Sequence, residues 1–294
     1  MRLLNFYTSG GEVHLGVVQG ENVFDLTAAA GEGPEFRSLS DWLRAGKPAR
    51  HRTDELLGNG SASGYPLTAL ATLRHAPLVS RDSHIFCVGL NYADHAAENN
   101  LPPPSSPIFF AKLSSVVIPH GTAIPLPAAS DQIDYEAEMA VVLGMEADCV
   151  SEAEAEECIA GCTIMNDVSA RDLQRSDKQW FRGKNCNGFG PLGPWLVTAD
   201  EVPDIGDLEI TLKLNGRVRQ HSNTRQLVFP PAALISRLSQ TLKLEPGDVI
   251  STGTPAGIGS KQTPPSFLKE GDQIQIEISG IGTLQNTVGK RREV

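Results

Sequence analysis

Residues 131–144, DQIDYEAEMAVVLG, form the segment around which the rest of this chain is organised. Its second half is apolar and β-branched and ends at a glycine, which predicts a buried β-strand. Because side chains alternate between the two faces of a strand, Asp134, Glu136 and Glu138 are predicted to share one face. An acidic face therefore leads into the apolar core of the protein.

These acidic side chains indicate a metal site. Carboxylates grouped on a strand that enters an apolar core repel one another and are costly to remove from water. A divalent cation would relieve both effects, and ligands that are all carboxylates favour a hard ion such as Mg²⁺, Mn²⁺ or Ca²⁺ over zinc. The alternative interpretation is a solvated acidic strand at the edge of a sheet.

Length and charge limit the classes of protein to which the chain can belong. With 294 residues it can form one large domain, or a large domain and a small one. The net charge of −10 argues against nucleic acid and anionic membranes as partners, because both attract basic surfaces. A small anionic substrate stays compatible with this charge, since a metal and a few local cations can reverse the field inside a cleft.

The compartment is predicted from the N-terminus and the cysteines. The first residues, MRLLNFYT, include no long apolar run, so no signal peptide is expected. No stretch has the length of a membrane-spanning helix. The 5 cysteines are odd in number and include no Cys-x-x-Cys pair. These features predict a cytoplasmic protein with reduced thiols.

The pattern along the chain predicts an α+β protein dominated by β-strands. Short apolar segments separated by glycines over residues 1–30 predict a β-meander, and we place a small β-rich domain at 1–75, followed by a larger domain at 76–294. Ser151 with Glu154 forms the pattern of a helix capping box. Asn215-Gly216 lies between two apolar segments and predicts a hairpin turn.

Asp167 is a candidate third metal ligand. It follows an apolar strand that is predicted near 163–167, at a point where a side chain can face a cleft. If Asp167 joins Glu136 and Glu138, about three positions of an octahedral ion stay open for water and substrate. The alternative is that Asp167 caps the helical turn that follows it.

Two further features carry candidate chemistry. His95 and Glu98 are three residues apart on a predicted helix, so the carboxylate can orient the imidazole and raise its basicity. Taken alone, His95 is also compatible with an ordinary surface histidine. The glycine-rich segment at 251–259 offers backbone amides that could bind an anion, but it lacks the lysine and spacing of a phosphate loop.

Several motifs in this chain resemble those of the fumarylacetoacetate hydrolase family. They lie at 89–98, 134–144, 166–174, 182–184, 191–197 and 252–259, and the similarity covers residues 83–294 in unbroken order. The small N-terminal domain resembles that of many members with a weaker signal. The resemblance implies a mixed β-sheet roll with short helices, of the type found in the C-terminal domain of the family, and a homodimeric assembly.

The resemblance also implies roles for individual residues. It implies a metal site for Mg²⁺, with Mn²⁺ or Ca²⁺ as alternatives, at Glu136, Glu138 and Asp167, while the role of Asp134 stays open. The implied catalytic residues are His95 as general base, Glu98 as its partner, and Lys184 at the metal and substrate. The residues that it implies in substrate binding are Arg171, Gln174, Thr254 and Lys112.

Two departures from the family pattern bear on the substrate. Leu113 follows Lys112 where members usually have proline, which suggests a local backbone change only. The stretch at 184–188 reads KNCNG where members usually have Lys-Ser-x-Asp-Thr. We therefore expect one negative charge fewer near the metal, at Asn187, and different hydrogen bonding around Lys184.

The function that these features predict is C–C bond hydrolysis. The expected enzyme is a Mg²⁺-dependent hydrolase of acylpyruvate or β-diketo acids that stabilises an enolate and activates water with His95 and Glu98. The same site would also suit decarboxylation of oxaloacetate-like acids, isomerisation of oxo-diacids, or dehydration of sugar-derived 2-oxo acids. A metal-binding protein without catalysis is the remaining alternative, and Asn187-Gly188 is its only motive.

Overall fold

A computed structural model of the chain describes residues 1–31, 33–58, 67–98, 100, 102–202 and 204–292. The strands are β1 (Arg2–Tyr7), β2 (Val13–Gln19), β3 (Asn22–Asp25), β4 (Thr68–Ala69), β5 (Arg74–His75), β6 (Ile85–Gly89), β7 (Ile108–Lys112), β8 (Val117–Ile118), β9 (Ile124–Leu126), β10 (Ile133–Asp134), β11 (Ala137–Leu143), β12 (Ile159–Asn166), β13 (Ser169–Ala170), β14 (Gly190–Thr198), β15 (Glu209–Leu214), β16 (Arg217–Asn223), β17 (Val249–Ser251), β18 (Gln273–Ile278) and β19 (Gly282–Arg291). The helices are α1 (Leu26–Ala30), α2 (Leu39–Ala45), α3 (Lys47–Gly58), α4 (Ala93–Glu98), α5 (Glu152–Glu157), α6 (Arg171–Ser176), α7 (Phe181–Lys184) and α8 (Pro231–Ser239).

The central sheet brings several strand ends together at one edge. Its order is β4-β3-β2-β1-β14-β12-β11-β17-β6-β7, and all of β11 is buried between β12 and β17. Since β11 is antiparallel to both neighbours, its first residues lie beside the last residues of β12 and β17. Strand β6 is parallel to β17, so it ends at the same edge. The predicted buried strand is thus confirmed, and the alternative interpretation of a solvated edge strand is wrong.

A second sheet covers the apolar side of this arrangement. It has the order β16-β15-β18-β19-β9, and its inward residues, such as Ile210 and Ile276, belong to the same core cluster as Val141 of β11. The predicted hairpin at residues 215–216 is confirmed. It joins β15 to β16, with positive φ angles of 51° at Asn215 and 75° at Gly216, and a two-residue turn of this kind matches the twist of the strands.

The N-terminal segment forms the predicted β-meander. Strands β1, β2 and β3 pair antiparallel in sequence order, and β1 also pairs with β14, so the meander extends the central sheet. The boundary at residue 75 stays a prediction, and residues 32 and 59–66 of that segment lie outside the described residues. The capping box at Ser151 and Glu154 is also present at the start of α5. Within the described ranges, no helix is long and apolar enough to cross a membrane.

The predicted strand at 131–144 is interrupted near its start. Asp134 ends the short strand β10, which pairs with β13, whereas β11 begins only at Ala137. The interruption has a local cause, because Asp134 accepts a hydrogen bond of 3.0 Å from the amide of Tyr135, and the side chain of Asn166 accepts one of 3.0 Å from the amide of Glu136. Asp134 thus lies outside β11, although its side chain and that of Glu136 still converge on the guanidinium of Arg171.

Strand β12 leads directly into Asp167. The close contact between β12 and β14 depends on Gly161. A Cβ atom on this glycine would lie 2.0 Å from the carbonyl oxygen of Val197 in β14. The backbone of a central strand cannot move away from such a contact without breaking the hydrogen bonds that pair β12 with β14.

We therefore expect Gly161→Ala to lower the free energy of unfolding by about 3 kcal/mol, which corresponds to roughly 5–10 °C in melting temperature. Calorimetry or circular dichroism would measure this change. Gly10→Ala is the matched control, since a Cβ there meets only the Thr8 hydroxyl, at an ordinary 3.6 Å. Equal stability of both variants would contradict the packing described for β12 and β14.

Candidate active site

A cavity of about 330 Å³ opens at the edge of the central sheet where the strand ends meet. Residues from β6, β7, β11, α4, α6, α7 and the segment after β17 line it. Its lining residues are Val88, Gly89, Leu90, His95, Phe110, Glu136, Glu138, Asp167, Arg171, Gln174, Arg175, Trp180, Lys184, Thr254, Ile258, Ser260 and Lys261. The cavity therefore brings together most of the residues that the sequence predicts for the site.

The three predicted metal ligands form one cluster in the wall of this cavity. Glu136, Glu138 and Asp167 each present a carboxylate oxygen, and these oxygens lie within 4.8 Å of one another. All three residues are buried, with Glu136 the most exposed at 5%. The alternative of Asp167 as a helix cap is wrong, because Ala170 precedes α6 without any side-chain cap and the carboxylate of Asp167 binds lysines instead.

Three buried cationic side chains form ion pairs with carboxylates of this cluster and with Asp134. Lys184 donates to Glu136 and to Asp167, each over 2.6 Å. Lys112 donates to the other oxygen of Asp167, also over 2.6 Å. Arg171 donates to Glu136 over 2.6 Å and to Asp134 over 2.8 Å. These charge-assisted bonds fix the positions of the carboxylates.

The buried charges of the cluster do not balance. Four carboxylates (Asp134, Glu136, Glu138 and Asp167) meet three cations (Lys112, Arg171 and Lys184), which leaves one net negative charge among these described residues. No cation forms an ion pair with Glu138 among the described residues. Burial, with repulsion from Asp167 and Glu136, therefore raises the pKa of Glu138 well above its usual range.

Glu136 shows the opposite behaviour. Burial alone would raise the pKa of its carboxyl, but the charges of Arg171 and Lys184 outweigh burial and lower that pKa to about 2. The difference between the two glutamates follows from their neighbours, since one has two ion pairs and the other has none in the described structure. The cluster is thus short of positive charge at Glu138.

The donor set fits a hard divalent cation. One oxygen of Glu138 accepts hydrogen bonds from the Ser251 hydroxyl over 2.5 Å and the Gly253 amide over 3.0 Å. Each carboxylate oxygen has two acceptor positions, so Glu136 and Asp167 can keep their lysine and arginine partners while binding an ion. Three carboxylate ligands leave about three positions of an octahedral Mg²⁺ for water and substrate.

The glycine-rich segment at 251–259 and the residue after it, Ser260, do bind anionic groups, but these are side chains of the same protein. The amide of Gly253 binds Glu138, that of Gly257 binds Glu98 over 2.9 Å, and those of Gly259 and Ser260 bind Asp134 over 2.7 and 3.0 Å. The expectation that these amides would hold an external anion is therefore wrong. Asp134 acts as the anchor of this segment, which is the role that the sequence left open.

His95 lies on the cavity wall, and the alternative of a surface histidine is wrong. The residue is only 7% exposed, and its Nδ1 lies 3.1 Å from Oε2 of Glu98. The other oxygen of Glu98 accepts the Gly257 amide, so the glutamate is fixed from two sides. Burial raises the pKa of Glu98, but hydrogen bonds from His95 and Gly257 outweigh it, and the net shift is downward. The pair can therefore hold and move a proton.

The residues predicted to bind substrate divide into two groups. Arg171, Gln174 and Thr254 line the cavity, and Gln174 accepts a hydrogen bond of 3.0 Å from Arg171. Lys112 does not line it, because its ammonium is fully buried behind Asp167 and also donates to the carbonyl of Val168. Lys112 is thus placed to hold Asp167 rather than to touch a ligand in the cavity.

Gln220 supports the site from β16 and was missed by the sequence interpretation. Its side chain accepts a hydrogen bond of 2.9 Å from the amide of Ala137, which lies between Glu136 and Glu138. It also donates to the Thr254 hydroxyl over 2.8 Å, so this hydroxyl can donate its own hydrogen into the cavity. Nothing in its local sequence marks Gln220, because its partners lie 34 and 83 residues away.

None of the residues at 185–188, where the sequence departs from the family pattern, lines the cavity. Asn187 is exposed, so the expected loss of a negative charge beside the metal is not supported by its position. Gly188 has a φ of 77°, and a Cβ there would lie 2.4 Å from Pro125. Asn185 donates to the carbonyls of Ala111 and Phe181, which secures the segment that carries Lys184. These residues shape the backbone, and Lys184 keeps its two carboxylate partners.

Aromatic residues form a further part of the wall that the sequence did not indicate. The rings of Phe110 and Trp180 meet edge to face, with centroids 5.3 Å apart, and the Lys184 ammonium lies 4.9 Å from the Phe110 ring centre. Trp180 also packs against Gly89, where a Cβ would lie 2.6 Å from the indole. These rings exclude water from one side of Lys184.

Known proteins with related sequences and structures agree with this geometry. Residues 84–289 match the fumarylacetoacetate (FAA) hydrolase C-terminal family. The mitochondrial oxaloacetate tautomerase FAHD2A of Bos taurus is 39% identical over 293 residues, which cover 98% of this chain and 91% of that protein. The fumarylacetoacetate hydrolase of psychrophilic Exiguobacterium antarcticum is 31% identical, with a TM-score of 0.82 and coverage of 99% of this chain and 100% of that one.

A third relative was solved with ligands. Maleylpyruvate hydrolase from Sphingobium sp. SYK-6, in complex with manganese(II) and pyruvate, is 28% identical with a TM-score of 0.79 and coverage of 99% of this chain and 100% of that one. The expected β-dominated α+β fold, with a β-rich region before the FAA hydrolase C-terminal region, is confirmed by these similarities. The chain therefore belongs to the fumarylacetoacetate hydrolase family of enzymes.

Proposed function

We propose that this protein is a divalent-metal-dependent enzyme that interconverts the enol and keto forms of a small 2-oxo diacid of the oxaloacetate class. Full-length similarity to oxaloacetate tautomerases supports this reaction. The single structural observation that carries it is the position of His95, which faces the cavity of the carboxylate cluster with Glu98 bound to its other side. Tautomerisation needs only the movement of protons, which such a pair can perform.

The proposed cofactor is Mg²⁺ or Mn²⁺, held by Glu136, Glu138 and Asp167. When bound there, the ion would supply the positive charge that stabilises negative charge on an enolate oxygen. It would also change the net charge of the buried cluster from minus one to plus one. A 2-oxo acid contributes a carboxylate beside its keto oxygen and would neutralise that excess. The charge of the cluster therefore favours an anionic 2-oxo acid.

The proton path is assigned to His95. In the enol-to-keto direction the substrate loses the proton of its C2 hydroxyl and gains one at C3, so no atom is added or lost overall. Glu98 holds Nδ1 of the imidazole, and we assign the exchange of a proton with the substrate to Nε2. General acid–base catalysis of this kind typically contributes about 10²–10⁴-fold to the rate.

Other residues of the cavity would orient the substrate. Arg171 and Lys184 place positive charge beside Glu136, and Thr254 can donate a hydroxyl hydrogen. Gln174 supports Arg171, and Lys112 holds Asp167 from behind. We also propose that the enzyme acts as a homodimer, and its compartment stays a prediction, cytoplasmic from the sequence and mitochondrial by analogy with the bovine relative.

Hydrolysis of a C–C bond in an acylpyruvate is the second candidate. It is favoured by the similarity to maleylpyruvate hydrolase and by the same histidine pair, which could activate a water molecule. Assays of the Mn²⁺-loaded protein with enol-oxaloacetate and with acylpyruvates separate the two candidates. Faster loss of the enol absorbance without acylpyruvate cleavage supports the tautomerase, and cleavage with no effect on the enol would overturn it.

Glu138→Gln tests the metal site. This change removes the carboxylate that has no cationic partner, so we expect the metal-free protein to be at least as stable as the wild type. Metal affinity should fall at least about 100-fold, and the rise in melting temperature with added Mn²⁺ should disappear. Calorimetric titration and thermal unfolding measure these changes. Wild-type Mn²⁺ affinity in the variant would exclude Glu138 as a ligand.

His95→Ala tests the proton path. We expect kcat for tautomerisation to fall about 10²–10⁴-fold because the proton carrier is lost, while Mn²⁺ affinity changes little because His95 is not among the clustered carboxylates. His51→Ala is the control, since His51 is an exposed histidine on α3. A His95→Ala variant with wild-type kcat would remove this residue from the mechanism.

A further inference from the structure

Two cations at the mouth of the cavity form no ion pair within the described residues. Arg175 and Lys261 both line the cavity and are exposed, and neither forms an ion pair with a carboxylate in the described parts of the chain. Arg175 donates only to the neutral side chain of Gln132 there. By contrast, an acid pairs with each of several other arginines, namely Arg44, Arg50, Arg52, Arg182, Arg225 and Arg291.

The two cations reach the mouth from different elements that also build the site. Arg175 lies on α6 with Arg171 and Gln174, and residues three or four positions apart on a helix share a face. Lys261 follows Ser260, whose amide is fixed on Asp134. The charge of Lys261 also contributes to the lowered pKa of Glu98, which places it near the histidine pair. Arg175 and Lys261 therefore each lie close in sequence to a residue that is fixed in the cavity wall.

The protein as a whole has a net charge of −10 and therefore repels anions. Cations at the mouth of the cavity oppose this repulsion locally. They raise the local concentration of anions and favour ligands with more negative charge. A 2-oxo acid bound with its carboxylate and keto oxygen at the cluster would direct the rest of its chain toward the mouth. A cavity of about 330 Å³ has room for such an extended ligand.

We propose that Arg175 and Lys261 bind the second carboxylate of the substrate and thereby make the enzyme selective for 2-oxo diacids over 2-oxo monoacids. This inference rests on the proposed function, because it assumes that a 2-oxo acid binds at the carboxylate cluster. The two residues determine specificity and take no part in proton transfer. Each contributes an exposed charge contact, which limits its effect on affinity to a few-fold to tenfold.

Calorimetric titration of the Mn²⁺-loaded full-length protein tests this selectivity with a stable pair of ligands. 2-Oxoglutarate and 2-oxopentanoate have five carbons each, and only the first carries a second carboxylate. We expect the Kd of 2-oxoglutarate to rise about three- to tenfold in Arg175→Gln and in Lys261→Gln. The Kd of 2-oxopentanoate should change less than about twofold, since a monoacid makes no contact with either cation.

Matched controls remove the same charges away from the cavity. Lys269→Gln and Arg217→Gln each delete an exposed cation without an ion pair in the described ranges, and neither residue lines the cavity. Both controls should bind the two ligands like the wild type. Equal losses for diacid and monoacid in the Arg175 and Lys261 variants, or no loss at all, would overturn the inference.

Turnover is measured in parallel to keep the two proposals separate. Exchange of the C3 protons of oxaloacetate with deuterated solvent, followed by nuclear magnetic resonance, reports the proposed reaction in the wild type. Absence of exchange with intact diacid selectivity would overturn the proposed reaction and support the binding role of Arg175 and Lys261. Rapid exchange in the wild type with unchanged diacid binding in both variants would overturn only the role of these two residues.

Discussion

The structure depends on the burial of more carboxylates than cations at one edge of the central sheet. Four acids and three bases are packed together away from water, and such a cluster is stable only if each group is bound by fixed partners. Backbone amides after β17 and the ammonium and guanidinium groups supply those partners. Glu138 has no ion pair among the described residues, so it offers the cluster a carboxylate that a divalent cation can bind.

Sheet topology explains why these groups meet. Strands β12 and β17 run antiparallel to β11 on either side of it, so their last residues lie beside the first residues of β11. Strand β6 ends at the same edge and leads directly into α4, which carries His95. Because of this strand order, the acid cluster and His95 line one cavity, and residues of α6 and α7 complete its wall.

Local patterns predicted what local geometry controls. Strand alternation predicted Glu136 and Glu138 on one face, and the position of Asp167 after an apolar strand made it a candidate third ligand. The three carboxylates do lie together in the structure. The hairpin and the capping box followed from short-range chemistry. Partners far apart in sequence could not be predicted in this way. Asp134 binds the amide of Gly259, 125 residues away, and Gln220 binds that of Ala137, 83 residues away.

We propose that Glu136, Glu138 and Asp167 hold one divalent cation while Lys184 and Arg171 keep their bonds to Glu136. This site can be tested with a crystal structure of the protein with Mn²⁺ and oxalate, which is a stable mimic of a 2-oxo acid. Peaks in the anomalous difference map would locate the manganese. We expect one manganese peak within about 2.0–2.3 Å of all three carboxylates, as for a small divalent ion bound by oxygen, with oxalate facing His95. A peak elsewhere, or none at saturating Mn²⁺, would contradict it.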